Sequence, residues 1–183
     1  MFESFKTRAE AVSAEVHRFP TKTEALNFIL ELMKKEGVAD TPSKYAVWAD
    51  CPFLKNLDTK ELSTKVPGLK FQFDRSIAKE ALIGVTQMDY GIASTGSLVG
   101  DQTAIEQRLA SSLTFINIAL VATSNILADI PALMTKMHPN HAGFIAFITG
   151  PSRTADIERV LTIGVHGPER LVIVAVDELG GMN

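Results

Sequence analysis

Thr149-Gly150-Pro151-Ser152-Arg153-Thr154, with Asp156 and Glu158 soon after, gathers in one short stretch the residue types that hold an anion. Pro151 removes one backbone N–H and pushes Gly150 away from helical angles. Ser152 or Thr154 can then cap a helix whose first turn carries Asp156 and Glu158, as the positive end of a helix dipole prefers. The free N–H groups of that helix start, with the Arg153 guanidinium, make a cradle for a carboxylate or phosphate. The competing reading is a capped strand-to-helix connection with a surface arginine.

Two further turns carry related chemistry. Ser94-Thr95-Gly96-Ser97 sets hydroxyls beside a glycine, which lets backbone N–H groups approach an oxyanion. A β-turn whose Ser and Thr bond their own backbone explains the same residues. Gly164-Val165-His166-Gly167-Pro168 holds an imidazole in a constrained loop, as acid, base or ligand, or bonded to a nearby carbonyl. Asp89 reads as a loop carboxylate or a base. His138 and His141 stand three apart; a metal there would need further ligands, and a helix C-terminal cap explains His138 more simply. GxSxG, P-loop and GxGxxG motifs are absent.

Strands and helices must position these turns. The apolar run over 144–149, closed by Gly150-Pro151, predicts a buried strand, followed by a helix over 154–161. Residues 2–16, with Phe2, Phe5, Ala9, Val12 and Val16 three or four apart, predict an amphipathic helix, and His17 to Pro20 a short extended link. Thr21 to Glu36 predicts a second helix, with Thr21 and Glu24 as a capping box and Gly37 as its stop. Strands are expected at 45–49 and 69–73, a short helix or turn at 53–57, a helix at 76–83, and strand again from Val85 towards Ser97. The run 114–123 is the strongest strand, covered on both faces. A helix with Pro131 in its first turn is expected at 129–137, and a closing strand at 171–176. Alternating strands and helices imply an α/β sandwich with a mostly parallel sheet. In such sheets ligands gather outside the carboxyl ends of the strands, where the three turns are expected to lie.

Composition sets the class. A chain of 183 residues, 46% apolar and 21% charged, suits one soluble domain or one with a helical appendage. A net charge of −3 disfavours nucleic acid or an anionic membrane as partner. No run approaches the roughly 18 apolar residues of a membrane span. The mixed charge of the first residues lacks the apolar centre of a secretory leader, so the cytoplasm is the expected compartment. Cys51 is the one cysteine, which rules out an internal disulfide and a cysteine-held zinc or iron–sulfur site within one chain.

Taken in order, Gly91-Ile-Ala-Ser-Thr-Gly-Ser-Leu-Val99, Arg108-Leu-Ala-Ser111, the block from Thr149 to Glu158 and the block from Gly164 to Pro168 resemble the LUD domain. They resemble in particular its short form, the lactate-utilisation protein C family. The resemblance implies a three-layer α/β sandwich with a mostly parallel sheet, similar to the sugar-phosphate isomerase and CoA-transferase group. Residues 1–40 would be N-terminal helices packed on an α/β domain of residues 41–183. It also implies a role with partner proteins in oxidising L-lactate to pyruvate, with the iron–sulfur clusters on the partners and no cofactor in this chain. Ser94 stands where the family often has an acidic residue, Ser97 where threonine is commoner, and Thr114 and Asn117 where a proline and a histidine are frequent.

The expectation is therefore a cytoplasmic accessory subunit that binds a small carboxylate or phosphate. Its ligand-binding residues would be Thr95, Gly96, Ser97, Gly150, Ser152, Arg153, Thr154, Asp156, His166 and Gly167. His166 is the candidate catalytic group, orienting the ligand or moving a proton, while Asp156 caps N–H groups. No metal, nucleic acid or membrane span is expected, and self-association through the first helix stays open. The alternatives are a stand-alone enzyme acting on a phosphorylated or CoA-linked small molecule, and a non-catalytic interaction module.

Overall fold

The structure, a computed structural model, describes residues 1–138, 140, 142–154, 162–163 and 167–179. In chain order it begins with α1 (Phe2–Ala11), β1 (Glu15–Phe19), α2 (Lys22–Lys35), β2 (Tyr45–Trp48), α3 (Thr59–Lys65), β3 (Leu69–Lys70) and α4 (Arg75–Ala78). Next come β4 (Ala81–Gln87), β5 (Tyr90–Ile92), β6 (Ser97–Asp101), α5 (Ile105–Ser112), β7 (Ile116–Ala122), β8 (Ile126–Leu127) and α6 (Ile130–Met134). The chain closes with β9 (Ile145–Ile148), β10 (Arg153–Thr154), β11 (Thr162–Ile163) and β12 (Arg170–Val176).

Six of these strands form a parallel sheet in the order β1-β12-β7-β4-β2-β3. Every residue of β7 is buried, as an apolar, β-branched central strand covered on both faces must be. One face packs under α2 and α3, where Ala25, Ile29, Met33 and Leu62 meet Trp48, Ile83, Ile118 and Val174. On the other face Phe5 and Ala9 of α1 share a cluster with Ala119, Val121, Ile173 and Ala175. There α5 rests directly on β4: a Cβ at Gly84 would lie 2.0 Å from Ala110 O. The expected α/β architecture with a parallel sheet is present.

A second sheet was not expected. β5 and β6 form a hairpin inside the order β8-β5-β6-β9, antiparallel except for β5 with β8. Met88, Leu98 and Ile126 turn inward against the main sheet's face, and Ile92 and Val99 turn outward under Leu133 and Met137.

Several boundaries move for physical reasons. The first helix stops at Ala11, not at residue 16, because Ser13 takes a φ of +71° and the chain re-enters as β1, with Val16 buried in the sheet. The second helix matches: Thr21 Oγ1 accepts from Glu24 N at 3.2 Å, the Glu24 carboxylate accepts from Thr21 N at 3.4 Å, and Gly37 at φ +82° ends it. The helix expected at 76–83 is a single turn capped by Asp74, and Ala81–Ile83 opens β4 instead. The strand expected to be buried at 144–149 is the edge of the second sheet, with Phe147 49% exposed. An apolar run alone does not distinguish an edge from a centre. The helix start expected at Ser152 or Thr154 is extended backbone: Arg153 and Thr154 pair antiparallel with Ile163 and Thr162. The rest of that expected helix, residues 155–161, lies outside the described residues. Helix α6 ends at Met134 with Thr135, not His138, at its C-terminal cap.

Candidate functional site

The sequence singled out three turns, and their described parts do meet. Ser97 opens β6 beside β9, which puts its Oγ 2.7 Å from Thr149 Oγ1. Ser152 N donates to Pro168 O at 2.8 Å, and a Cβ at Gly167 would lie 3.1 Å from Ser152 Cβ. Gly96, Ser97 and Gly150 are buried, whereas Thr95 and Arg153 are exposed. Thr154 enters through its backbone, paired with Thr162. Asp156 and His166 lie outside the described residues.

What rests on these turns is the C-terminal end of α1. Gly96, at φ +69°, leaves only 2.3 Å between the place of a Cβ and Ala9 N. Gly150, also at φ +69°, comes as close to Val12 O. Arg153 Nη2 donates to Val12 O at 2.9 Å and to Ser13 Oγ at 2.8 Å. These bare glycines seat a helix end, since any side chain would collide with backbone. The cluster also lies by the amino end of the main sheet: β1 begins just after Ser13, and Glu169 N, ahead of β12, donates to Phe115 O ahead of β7. The first two turns do follow strands, β5 and β9, but these belong to the second sheet, so the cluster lies away from the carboxyl ends of the main sheet.

The carboxyl ends carry different residues. From β2 the chain runs outward to β3 and returns past it to β4, so the strand order reverses around the ends of β2 and β4. Just beyond β4, a hollow of about 320 Å³ is lined by Asp89, Tyr90, Asp101, Lys136, Met137 and His138. Its floor is fixed from three elements. Met88 is buried, Asp89 N donates to Val99 O at 2.9 Å, and Asn125 Nδ2, past the end of β7, donates to Asp89 O at 2.9 Å.

The two carboxylates are coupled. Asp101 N donates to Asp89 Oδ2 at 2.7 Å, while Asp101 Oδ1 accepts from Thr103 N at 2.9 Å and from the Thr103 hydroxyl. Burial pushes the Asp89 carboxyl above its ordinary value of 3.8; the Asp101 N–H opposes this and the Asp101 charge adds to it. His138 Nδ1 accepts from Asn140 N at 3.2 Å, so the neutral ring carries its proton on Nε2. The hollow thus offers a carboxyl that keeps its proton to higher pH, a second carboxylate, an ammonium, an imidazole and a phenol. That is the equipment of an acid–base or hydroxy-acid site.

Sequence reading had reached Asp89 and, as a metal-ligand or helix-cap candidate, His138, and had missed Asp101 and Lys136. The available signal was the hairpin itself. With Tyr90 opposite Val99, Asp89 and Asp101 flank the two strand ends, so recognising the hairpin would have brought them together.

Around Cys51, at the end of β2, lies an open hollow of about 550 Å³ with Asp50, Lys55, Thr59, Phe71 and Gln72 on its walls. Burial pushes the Cys51 thiol above its ordinary value of 9.0. A protonated thiol is a weak nucleophile. Among the described residues no three His, Cys, Asp or Glu side chains come together as a metal site. No described helix is long and apolar enough to cross a membrane.

Comparison with known proteins adds ancestry to this geometry. The chain matches the family model of the LUD domain over residues 2–176. It is 34% identical over 109 residues to the uncharacterized protein YkgG of Escherichia coli K12, a match covering 56% of this chain and 47% of that one. It is 33% identical over 111 residues to lactate utilization protein C 1 of Bacillus mycoides, covering 57% and 47%. With lactate utilization protein C of Halalkalibacterium halodurans the identity is 34% over 107 residues, covering 55% and 46%. The matched stretch therefore spans just under half the length of these relatives. Among solved structures, a DUF162 family protein of Deinococcus radiodurans superposes with a TM-score of 0.64 at 16% identity, covering 96% of this chain and 95% of that one. This likeness bears on the fold.

Proposed function

The chain belongs to the LUD domain family, and from that premise we propose that it is a cytoplasmic component of L-lactate utilisation that binds the hydroxy acid or its keto product. Relatives named lactate utilization protein C support the process. The observation that carries the site is the hollow beyond β4, which Lys136 lines together with Asp101 and with Asp89, whose carboxyl is pushed up by burial. The Lys136 ammonium pairs with the ligand carboxylate. Protonated, Asp89 donates to a keto oxygen; ionised, it accepts the proton of a hydroxyl.

Oxidation of L-lactate to pyruvate releases two electrons and two protons. One cysteine cannot hold a cluster within this chain, and in this proposal the electrons pass onward to iron–sulfur proteins that act as its partners. The hydroxyl proton passes to ionised Asp89 and on to solvent, while the Cα–H bond gives up its hydrogen and electron pair to a two-electron acceptor on the partner proteins. This division makes the chain a substrate-holding subunit.

The test is an NMR titration of the purified chain with L-lactate and with pyruvate, alongside Lys136→Ala and Arg153→Ala. Binding is expected to perturb the signals of residues 89–101 and 136–138, to weaken roughly tenfold or more in Lys136→Ala, and to persist in Arg153→Ala. The reverse pattern would move the anion to the Thr95–Ser97 and Gly150–Thr154 turns. Absence of binding by the chain, together with no iron–sulfur absorbance retained on the tagged chain from lactate-grown cells, would defeat the reading.

A further inference from the structure

The carboxylate pair is held by a residue outside the hollow's lining. Asp101 ends β6, and beyond it the chain passes through Gln102 and Thr103 to α5. Thr103 donates twice to Asp101 Oδ1, from its backbone N at 2.9 Å and from its hydroxyl. The same Thr103 Oγ1 accepts from Phe144 N at 3.1 Å, and the preceding Gln102 N donates to Phe144 O at 2.8 Å. Phe144 leads into β9, and Ala142, two residues earlier, lies on the rim of the hollow. Gly143 makes the approach possible, since a Cβ there would lie 2.8 Å from Thr103 Oγ1.

One hydroxyl therefore joins the inner carboxylate pair to the rim. We propose that Thr103 is the positioning residue of this site: it pins the Asp101 carboxylate away from Asp89 while leaving the Asp101 N–H on Asp89 Oδ2, and it ties that arrangement to the 142–144 segment. The inference rests on the reading of the Asp89–Asp101 hollow as the ligand site.

The physical consequence follows from charge. A carboxylate held by two donors at one oxygen keeps its position. Released, Asp101 is free to approach Asp89, and two carboxylates sharing one space hold a proton between them to higher pH. The other groups that line the hollow with Asp89 are Tyr90, Lys136 and His138. Positive charge in the hollow would act on Asp89 in the opposite direction.

The experiment is a carbon-detected NMR titration of the Asp89 and Asp101 carboxyl groups in the whole chain, without ligand, compared with Thr103→Val, Thr103→Ser and Gly143→Ala. Thr103→Val is expected to raise the Asp89 midpoint by roughly half a pH unit or more. Thr103→Ser is expected to restore it. Gly143→Ala, which presses on Thr103 Oγ1, is expected to shift it in the same direction as the valine and serves if that variant does not fold. An unchanged midpoint in both Thr103→Val and Gly143→Ala, or a shift in Thr103→Ser as large as in Thr103→Val, would overturn the proposal. Because no ligand is added, this result is independent of whether L-lactate or pyruvate binds.

Discussion

Asp89 shows how a residue's chemistry is set by its neighbours. Its identity promises only a carboxylate with an ordinary value of 3.8; its partial burial at the end of β4 moves that value up. A raised folded value means that the native state binds more protons than the unfolded one, so Asp89 costs stability as pH rises from 3.8 through its folded value. The stability difference between Asp89→Asn and the parent should therefore move in favour of the variant across that window and be flat above it. Urea unfolding at a series of pH values measures this, and a difference that does not vary with pH would contradict it. Glu15 and Asp177, held low by Arg170 and Arg18, titrate alike in both proteins and cancel in the comparison. Arg153 gives the converse lesson. Its type suits an anion, but two of its hydrogen bonds end on Val12 and Ser13.

At the scale of elements, local signals carried far where local physics decides. The capping box at Thr21, the glycine stop at Gly37 and the all-apolar run in β7 were each legible, because caps and buried central strands depend on residues close in sequence. The hairpin of β5 and β6 and the edge position of β9 were not, since pairing partners are chosen over long separations. The turn at Gly96 illustrates the difference. Its glycine was read as a means of approaching a ligand, and the structure uses it to admit α1. Gly96→Ala adds the strain of a left-handed residue to a collision with Ala9 N, and should cost about 2–4 kcal/mol. Gly37→Ala, also left-handed at φ +82° but with nothing within 4 Å of a Cβ, should cost about 1 kcal/mol. Equal losses in denaturant unfolding would mean that the α1 seat contributes nothing.

For the whole molecule, the decisive contact is the pairing of β1 with β12, which sets residues 15–19 beside 172–176. The N-terminal segment thereby supplies an edge strand of the main sheet, with α1 and α2 on opposite faces. Trp48, the single tryptophan, is fully buried among α2, Phe53 and the sheet, with its ring 5.7 Å from that of Phe53. Loss of any part of this core should expose it. Unfolding followed by Trp48 fluorescence and by far-ultraviolet dichroism is expected to give one midpoint. An earlier fluorescence transition, with most of the dichroism still present, would show that residues 1–40, which include α2 over Trp48, unfold as a separate unit.

The sequence by itself determined the α/β class, most of the main sheet's strands, the cap at Thr21 and the family, because periodicity, breakers and motif order are local or collinear properties of the chain. Its one cysteine likewise excluded a cysteine-held cluster without any structure. Only the tertiary structure decided which turns face an open hollow and which face a helix. It moved attention from Gly150–Thr154, under α1, to Asp89, Asp101 and Lys136 beyond β4. The reason is physical. A crevice is made by segments far apart in sequence, and strand register, which no residue pattern encodes on its own, determines which of them meet.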